Sequence, residues 1–452
     1  MYFPTTTWGF TTWRLWFSLL AHLVPRSFLA VSMRTLAPCF LLIQLLPVRF
    51  SLPLRMHRSR LGLIFVVLWC LCSVPAWSLP QFSLITGNRC INCHVNAQGG
   101  GLRNELGWYS SHDVGLIEPR KLGLESLYSS DKGNSFLDDK LFLGMDVRFQ
   151  MARSHVSAES ERKFFPMQFA LYGAYKATDW LTGEFTYSMR GRNRFYPGQE
   201  QFMGSLILQP MQTLPALRVG YIQPSIGIRY DDHTMLTRFI VGNVPLIPPN
   251  YAEWGAELNY ESLPWLTLNA GVFRARNLAD IGFTDAISGG FQDRLITNPN
   301  ALSLTARAVL WQRFAEDFVN TYIGASFFRN DDFSIAQGFA GIGLTDMISL
   351  MAEYTASGKR SRQQTRNFSV EAMYQVLPGL NVYVRGERGM TTNLAENRAT
   401  NTIAPQDVYM NQGVIGAQVF ILPYVEVRPE YRIQDTDTYR STRWAMQLHI
   451  FY

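Results

Sequence analysis

The chain has 452 residues, 47% hydrophobic and 17% charged, with 41 Lys and Arg against 35 Asp and Glu for a formal charge of +6. That composition excludes a disordered or collagen-like chain and leaves room for two or three domains. The basic excess would suggest a polyanionic partner, but residues 1–78 hold seven arginines and no acidic residue. The rest carries 34 basic against 35 acidic side chains, a net of −1, so nothing in it calls for nucleic acid.

The leader has its own pattern. Met56 is followed by His57-Arg58-Ser59-Arg60, an apolar stretch over residues 61–72, and Ala76-Trp77-Ser78. A positive n-region, a short h-region and a small-x-small site make residues 56–78 a secretory signal peptide, cleaved after Ser78. Residues 1–55 read as an upstream over-extension, with Met56 as the start. Of the five cysteines, Cys39, Cys70 and Cys72 leave with this leader, and the mature chain keeps Cys90 and Cys93.

These two stand in Cys90-Ile91-Asn92-Cys93-His94, and C-x-x-C-H is the attachment signature of c-type haem. Two thiols two residues apart can add to the two vinyl groups of a porphyrin, and the next residue, His94, then serves as proximal axial ligand. A Cys90–Cys93 disulfide would give His94 no role. A thioredoxin-like pair would want a βαβ context, and a zinc site would want two further ligands. One covalently attached haem c is therefore the expected cofactor.

Residues 79–135 are expected to form a small, mostly irregular or helical haem module. Gly99-Gly100-Gly101 lets the backbone pass close to a flat macrocycle. Phe82, Leu84, Leu102, Leu106, Trp108 and Tyr109 offer an apolar wall, and Arg103 is either a propionate partner or a solvated side chain. For the sixth iron ligand the expectation is His112, 18 residues after His94, with Met145 as runner-up.

From about residue 140 the texture changes to period-two alternation. Leu141, Leu143, Met145, Val147, Phe149 and Met151 fall on one face, while Gly144, Asp146, Arg148 and Gln150 fall on the other. Similar segments recur to the end, from 141–152, 164–176 and 181–190 through to 408–420, 424–432 and 443–452. They number sixteen, with 14 to 18 acceptable. Short turns such as Leu377-Pro378-Gly379-Leu380 alternate with longer polar stretches at 153–163, 192–201, 276–300 and 389–406. That asymmetry, high aromatic content and a mean hydropathy of −0.03 predict an all-β, transmembrane antiparallel barrel over residues 140–452, not a helical bundle.

The last segment ends Trp444-Ala445-Met446-Gln447-Leu448-His449-Ile450-Phe451-Tyr452, with every second residue back from the end apolar. Asp146, Arg148, Glu184, Arg190, Arg307, Glu353, Arg385, Glu387, Glu426, Arg428, Glu430 and Arg432 would face the lumen. Their mixed signs predict weak ion selectivity or an occupied lumen. The long segment 224–252 carries Asp231-Asp232-His233, and reads either as an infolded constriction with a cation site or, the reading favoured here, as a solvated turn.

A signal peptide, a single glycine-rich C-x-x-C-H module and a C-terminal barrel together resemble the porin-cytochrome class of bacterial outer-membrane proteins. The resemblance implies Cys90, Cys93 and His94 as haem-binding residues. It also implies outer-membrane lipid around the barrel, the module on the periplasmic side, and electron transfer at or across that membrane. The likeness is one of architecture, with no specific barrel motif matched. Conduits of that class use a chain of haems, whereas this chain has one. A single haem cannot wire a bilayer core of about 30 Å, so a periplasmic or extracellular cytochrome partner completes the path or the haem serves another purpose. The alternative is a porin-like channel with a haem-containing plug or redox gate. A turnover enzyme is not expected, although an open iron position would admit peroxidase-like chemistry.

Overall fold

The computed structural model describes residues 81–96, 99–112, 114–128, 133–156, 159–188, 202–228, 235–238, 251–279, 282–284, 292–294, 296–315, 318–331, 333–345, 347–359, 363–397, 402–437 and 439–452. The leader, with the start at Met56 and the cleavage after Ser78, lies outside the described residues, as do Arg190 and Asp231-Asp232-His233.

Period-two alternation produces strands with one apolar and one polar face, and such strands bury both faces correctly only in a closed sheet. The barrel begins with β1 (Leu141–Val156), β2 (Glu159–Thr178), β3 (Leu181–Ser188), β4 (Phe202–Leu208) and β5 (Ala216–Ile222). It continues through β6 (Glu253–Tyr260), β7 (Leu266–Arg274), β8 (Leu302–Phe314), β9 (Val319–Arg329), β10 (Phe333–Leu344) and β11 (Ile348–Lys359). The last five are β12 (Gln363–Leu377), β13 (Leu380–Asn397), β14 (Thr402–Leu422), β15 (Val425–Thr436) and β16 (Arg440–Phe451). Each pairs antiparallel with the next, and β16 returns to β1 with Met446 opposite Met151 and His449 opposite Arg148. The chain is a closed antiparallel barrel of sixteen strands, of the kind found in outer membranes. Among the described residues no helix is long and apolar enough to cross a membrane.

All sixteen expected segments are strands, and several are longer than the alternation predicted. Stretches 153–163 and 389–406, expected as loops, remain largely paired, with His155 opposite Ser160 and Asn397 opposite Thr402. A hydrogen-bonded ladder needs no apolar face where water covers both sides, so the hydrophobic period ends before the strands do. Seven short connections, such as 179–180, 378–379 and 423–424, share the mouth where β1 begins and β16 ends. Eight lie at the other mouth, including 223–252 and 275–301.

Burial is inverted relative to a water-soluble protein. Ile323 is 60% exposed and Ile415 58%, whereas Arg307 is 4% exposed and Glu353 1%. An outward apolar band around an ionic interior is the surface of a barrel that faces hydrocarbon. The mixed-sign lumen expected from the sequence is largely paired internally. Arg385 meets Glu371 at 3.1 Å and Glu387 at 2.6 Å, Arg428 meets Glu426 at 3.0 Å, and Arg218 and Arg432 pair with Glu184 and Glu430.

The lumen is occupied by chain at two levels. Helix α1 (Gln81–Thr86) lies inside the wall. Its Leu84 packs with Trp311, Tyr322, Phe339 and Met351, and its Ile85 packs with Met373, Tyr383 and Val414. A Cβ at Gly343 would stand 2.0 Å from the Leu84 carbonyl oxygen, so only glycine on β10 admits the helix this closely. The second level comes from the connection after β5, where Ile228, Met235 and Leu236 are buried. The favoured reading of a solvated turn is therefore corrected for the described part of 224–252. Wall carboxylates hold its backbone: Ser225 N donates to Glu257 at 3.0 Å, Ile228 N to Glu353 at 3.5 Å, and Leu236 N to Glu387. Each infolded N–H adds a charge-assisted bond to a buried carboxylate, which makes infolding favourable.

Ile323 lies mid-strand on the outer face, opposite Leu310 and Ala340. Ile323→Arg is expected to destabilise the barrel by about 2–4 kcal/mol, as for a cation at the bilayer midplane, measured by urea unfolding of lipid-reconstituted protein.

Candidate functional site

The C-x-x-C-H motif folds as one helical turn, α2 (Cys90–Cys93), which brings residues three apart onto one side. Both cysteines are free thiols. His94 leaves the turn extended, at φ −127 and ψ 151, and forms a bridge with Arg103. The return between them passes through Gly99, Gly100 and Gly101, with φ of 79, 69 and 66, a left-handed run that side chains rarely adopt. A Cβ at Gly99 would meet the Cys90 Cβ at 3.4 Å and the Cys90 Sγ at 3.5 Å.

Asn104 is the pivot of this module. Its Oδ1 accepts from the Gly107 N at 3.0 Å and so caps α3 (Glu105–His112). Its Nδ2 donates to the carbonyls of Ile91 at 3.1 Å and Asn92 at 2.9 Å, tying α3 to the C-x-x-C-H turn. The two helices are in close contact, since a Cβ at Gly107 would lie 1.9 Å from the Cys93 carbonyl oxygen.

A cavity of about 340 Å³ opens between this module and the barrel wall. The module contributes Cys90, Cys93, His94, the three glycines and Arg103, together with Phe82 and Ile85 of α1. The wall contributes Asp146 and Arg148 of β1, Glu371 of β12, Tyr383 and Arg385 of β13, Phe420 of β14, Glu426 and Arg428 of β15, and His449 and Phe451 of β16. Its size falls in the range of small-molecule and cofactor pockets. Burial pushes the Cys90 thiol up to about 12, although Arg307 nearby favours its thiolate. Burial also raises Cys93, against a hydrogen bond from Ser110 and the charge of Arg103.

Several expectations are relocated by the structure. Cys90, Cys93 and His94 converge on one cavity with Phe82 and Arg103. Leu84 and Leu102 instead anchor the module to the barrel, Leu102 packing with Phe142 and Tyr172. Trp108 stacks on Tyr424 at 5.3 Å, and Leu106 and Tyr109 are exposed. His112 is turned away, its Nε2 lying 3.0 Å from the Tyr128 carbonyl and its ring 5.4 Å from Trp108, and it does not line the cavity. Met145 lies on the outer face of β1, half-buried, as the alternation predicted.

A second histidine that lines the cavity, with His94, is His449. Its Nε2 lies 3.0 Å from Asp146 and its Nδ1 3.0 Å from Glu426. Tyr172 donates to the other oxygen of Asp146 at 2.8 Å. Sequence reasoning placed His449 in the lumen and had no means to place it beside residues more than 350 positions earlier. The one available signal was an imidazole on an inward position of the closing strand.

No protein-family model and no curated protein matches the chain. Among solved structures it is similar to the Pseudomonas putida OprB high-pH structure, at 11% identity over 74% of this chain and 97% of that one, with a TM-score of 0.48. It is also similar to the Acinetobacter baumannii outer membrane channel DcaP, at 12% identity over 69% and 97%, with a TM-score of 0.48. A third is OpdQ of Pseudomonas aeruginosa, at 10% identity over 70% and 99%, with a TM-score of 0.43.

Asn104→Ala removes a cap and two carbonyl bonds, and Gly107→Ala drives a methyl group into Cys93. Each is expected to loosen the module by about 1–3 kcal/mol, measured as at least an approximately fivefold rise in its rate of limited proteolysis while the barrel stays intact.

Proposed function

We propose that the chain is an outer-membrane c-type cytochrome whose barrel encloses a single haem, held by Cys90, Cys93 and His94, and that it exchanges electrons at the periplasmic mouth. The observation that carries this reading is the convergence of both thiols and the His94 imidazole on one cavity inside the lumen. The residues present fit the group. The glycine run leaves open a cradle that a Cβ would enter, and Arg148, Arg385 and Arg428, the last two already paired with wall carboxylates, line the cavity and would supply cations for propionates. Tyr383, Phe420 and Phe451 supply apolar wall.

Bound there, haem supplies one-electron exchange at its iron. The chain's own residues do the rest. Cys90 and Cys93 would hold the macrocycle by thioether bonds, each S–H adding across a vinyl group, and His94 would ligate the iron. The wall excludes bulk water and sets the charge around the site. Part of the cavity wall lies at the strand ends of the short-turn mouth: Asn381 is the second residue of β13 and Glu426 the second of β15. The distance to the other mouth is therefore left to a redox partner, a periplasmic or extracellular cytochrome.

A porin-like channel with the module as plug is the second reading, favoured by a barrel of sixteen strands, a size that leaves an aqueous channel when empty. The two levels of infolded chain weigh against free diffusion.

A pyridine haemochrome spectrum of the purified protein is expected to show one covalently attached haem per chain, lost in Cys90→Ala. In liposomes the reduced protein is expected to pass electrons to an acceptor; failure to do so, with a conductance that follows the redox state, would favour the gated channel.

A further inference from the structure

We propose that Glu261 is a proton-exchanging group coupled to the redox centre of the module, so that reduction of that centre is accompanied by proton uptake at the Glu261 carboxyl. The inference rests on the haem reading of Cys90, Cys93 and His94.

Glu261 stands in the connection after β6, outside the strands. Both of its carboxyl oxygens are shut off from solvent, and neither has a hydrogen-bond partner among the described residues. Its backbone is held in place from the module: Arg89 Nη1 donates to the Glu261 carbonyl at 2.9 Å and to the Leu263 carbonyl at 3.0 Å. Arg89 immediately precedes Cys90, so this clamp fixes the carboxyl beside the C-x-x-C-H turn, close enough for its charge to act on Cys90.

The charged groups facing it are Arg89 from the module, Arg307 from β8 and Glu257 from β6. Among the described residues neither guanidinium bonds the carboxyl itself. Arg89 spends its bonds on the two carbonyls, while Arg307 donates to the Gly227 carbonyl at 2.9 Å and to Asn269 at 3.1 Å. Glu257 adds a like charge. An ionised carboxylate without a partner is costly in such a place, and burial pushes Glu261 up to about 7.

With haem held there, one electron taken from a cytochrome donor would add one negative charge near Cys90. That charge raises the proton affinity of a neighbouring carboxylate, which takes one proton from water and becomes neutral. Electron and proton enter together, and the net charge of the site is unchanged. The sign follows: the reduction potential falls as pH rises through neutrality, because the proton that stabilises the reduced form becomes scarcer.

The test uses the full-length protein in detergent. A pyridine haemochrome spectrum comes first, and absence of covalent haem overturns the parent reading and this inference with it. With haem present, spectroelectrochemical titration from about pH 5.5 to about pH 8.5 brackets the Glu261 value. The wild-type potential is expected to fall by up to about 59 mV for each tenfold drop in proton concentration near neutrality, and Glu261→Gln is expected to be flat over the same window. A wild type without slope, or a slope retained in Glu261→Gln, overturns the inference while leaving the haem intact. If Glu261→Gln does not fold, the reduced-minus-oxidised infrared spectrum of the wild type decides. A protonated-carboxyl band gained on reduction supports Glu261, and its absence overturns the proposal.

Discussion

The pairing of β16 with β1 is the constraint on which everything else depends. It removes the last unpaired strand edge, creates an interior, and carries the end of the chain back to its beginning. Met145 and Tyr452 exchange backbone bonds at 2.9 Å in both directions, and the Tyr452 hydroxyl donates to the Gly133 carbonyl at 3.3 Å. Phe451 lies under the Arg103 guanidinium at 4.1 Å. The cavity beside Cys90 exists because residues at opposite ends of the chain are brought together by closure.

A barrel of this circumference cannot be filled by side chains from its wall alone. The interior is lined with carboxylates and guanidiniums, and charges placed away from water must find partners. Arginines satisfy some of the carboxylates. Others are met by backbone N–H groups of infolded chain, as with Glu353 and Ile228, or Glu253 with Asn277 at 2.7 Å and Leu278 at 3.1 Å. The apolar contacts of Leu84 and Ile85 then lock the amino-terminal helix against inward aromatic residues. Lumen filling and lumen charge are two sides of one arrangement.

Much of this was legible in the sequence, for reasons that also set the limit. Alternation locates a strand wherever one face meets lipid, so all sixteen strands could be placed, and it falls silent where both faces meet water, as in the paired arms at 153–163 and 389–406. A motif within five residues carries its own geometry, which is why Cys90, Cys93 and His94 were recognisable together. The wall opposite them was not, because Arg148, Arg385 and His449 meet only through sheet register. His112 was attractive by proximity along the chain, yet a helix begun by the Asn104 cap sends its ring toward Tyr128. Asn104 itself looked like any polar residue, since its value lies in joining two carbonyls and an amide that come together only in the folded module.

The burial of Cys90 bears on the order of assembly. In the folded barrel its side chain lies inside the lumen, 5% exposed, between the module and the wall that β16 completes. Any bond made to that sulfur by an outside catalyst has to be made while the chain is still open. On the proposed haem reading, attachment at Cys90 would precede closure of the barrel, and a barrel that closed first would keep that sulfur out of reach of such a catalyst.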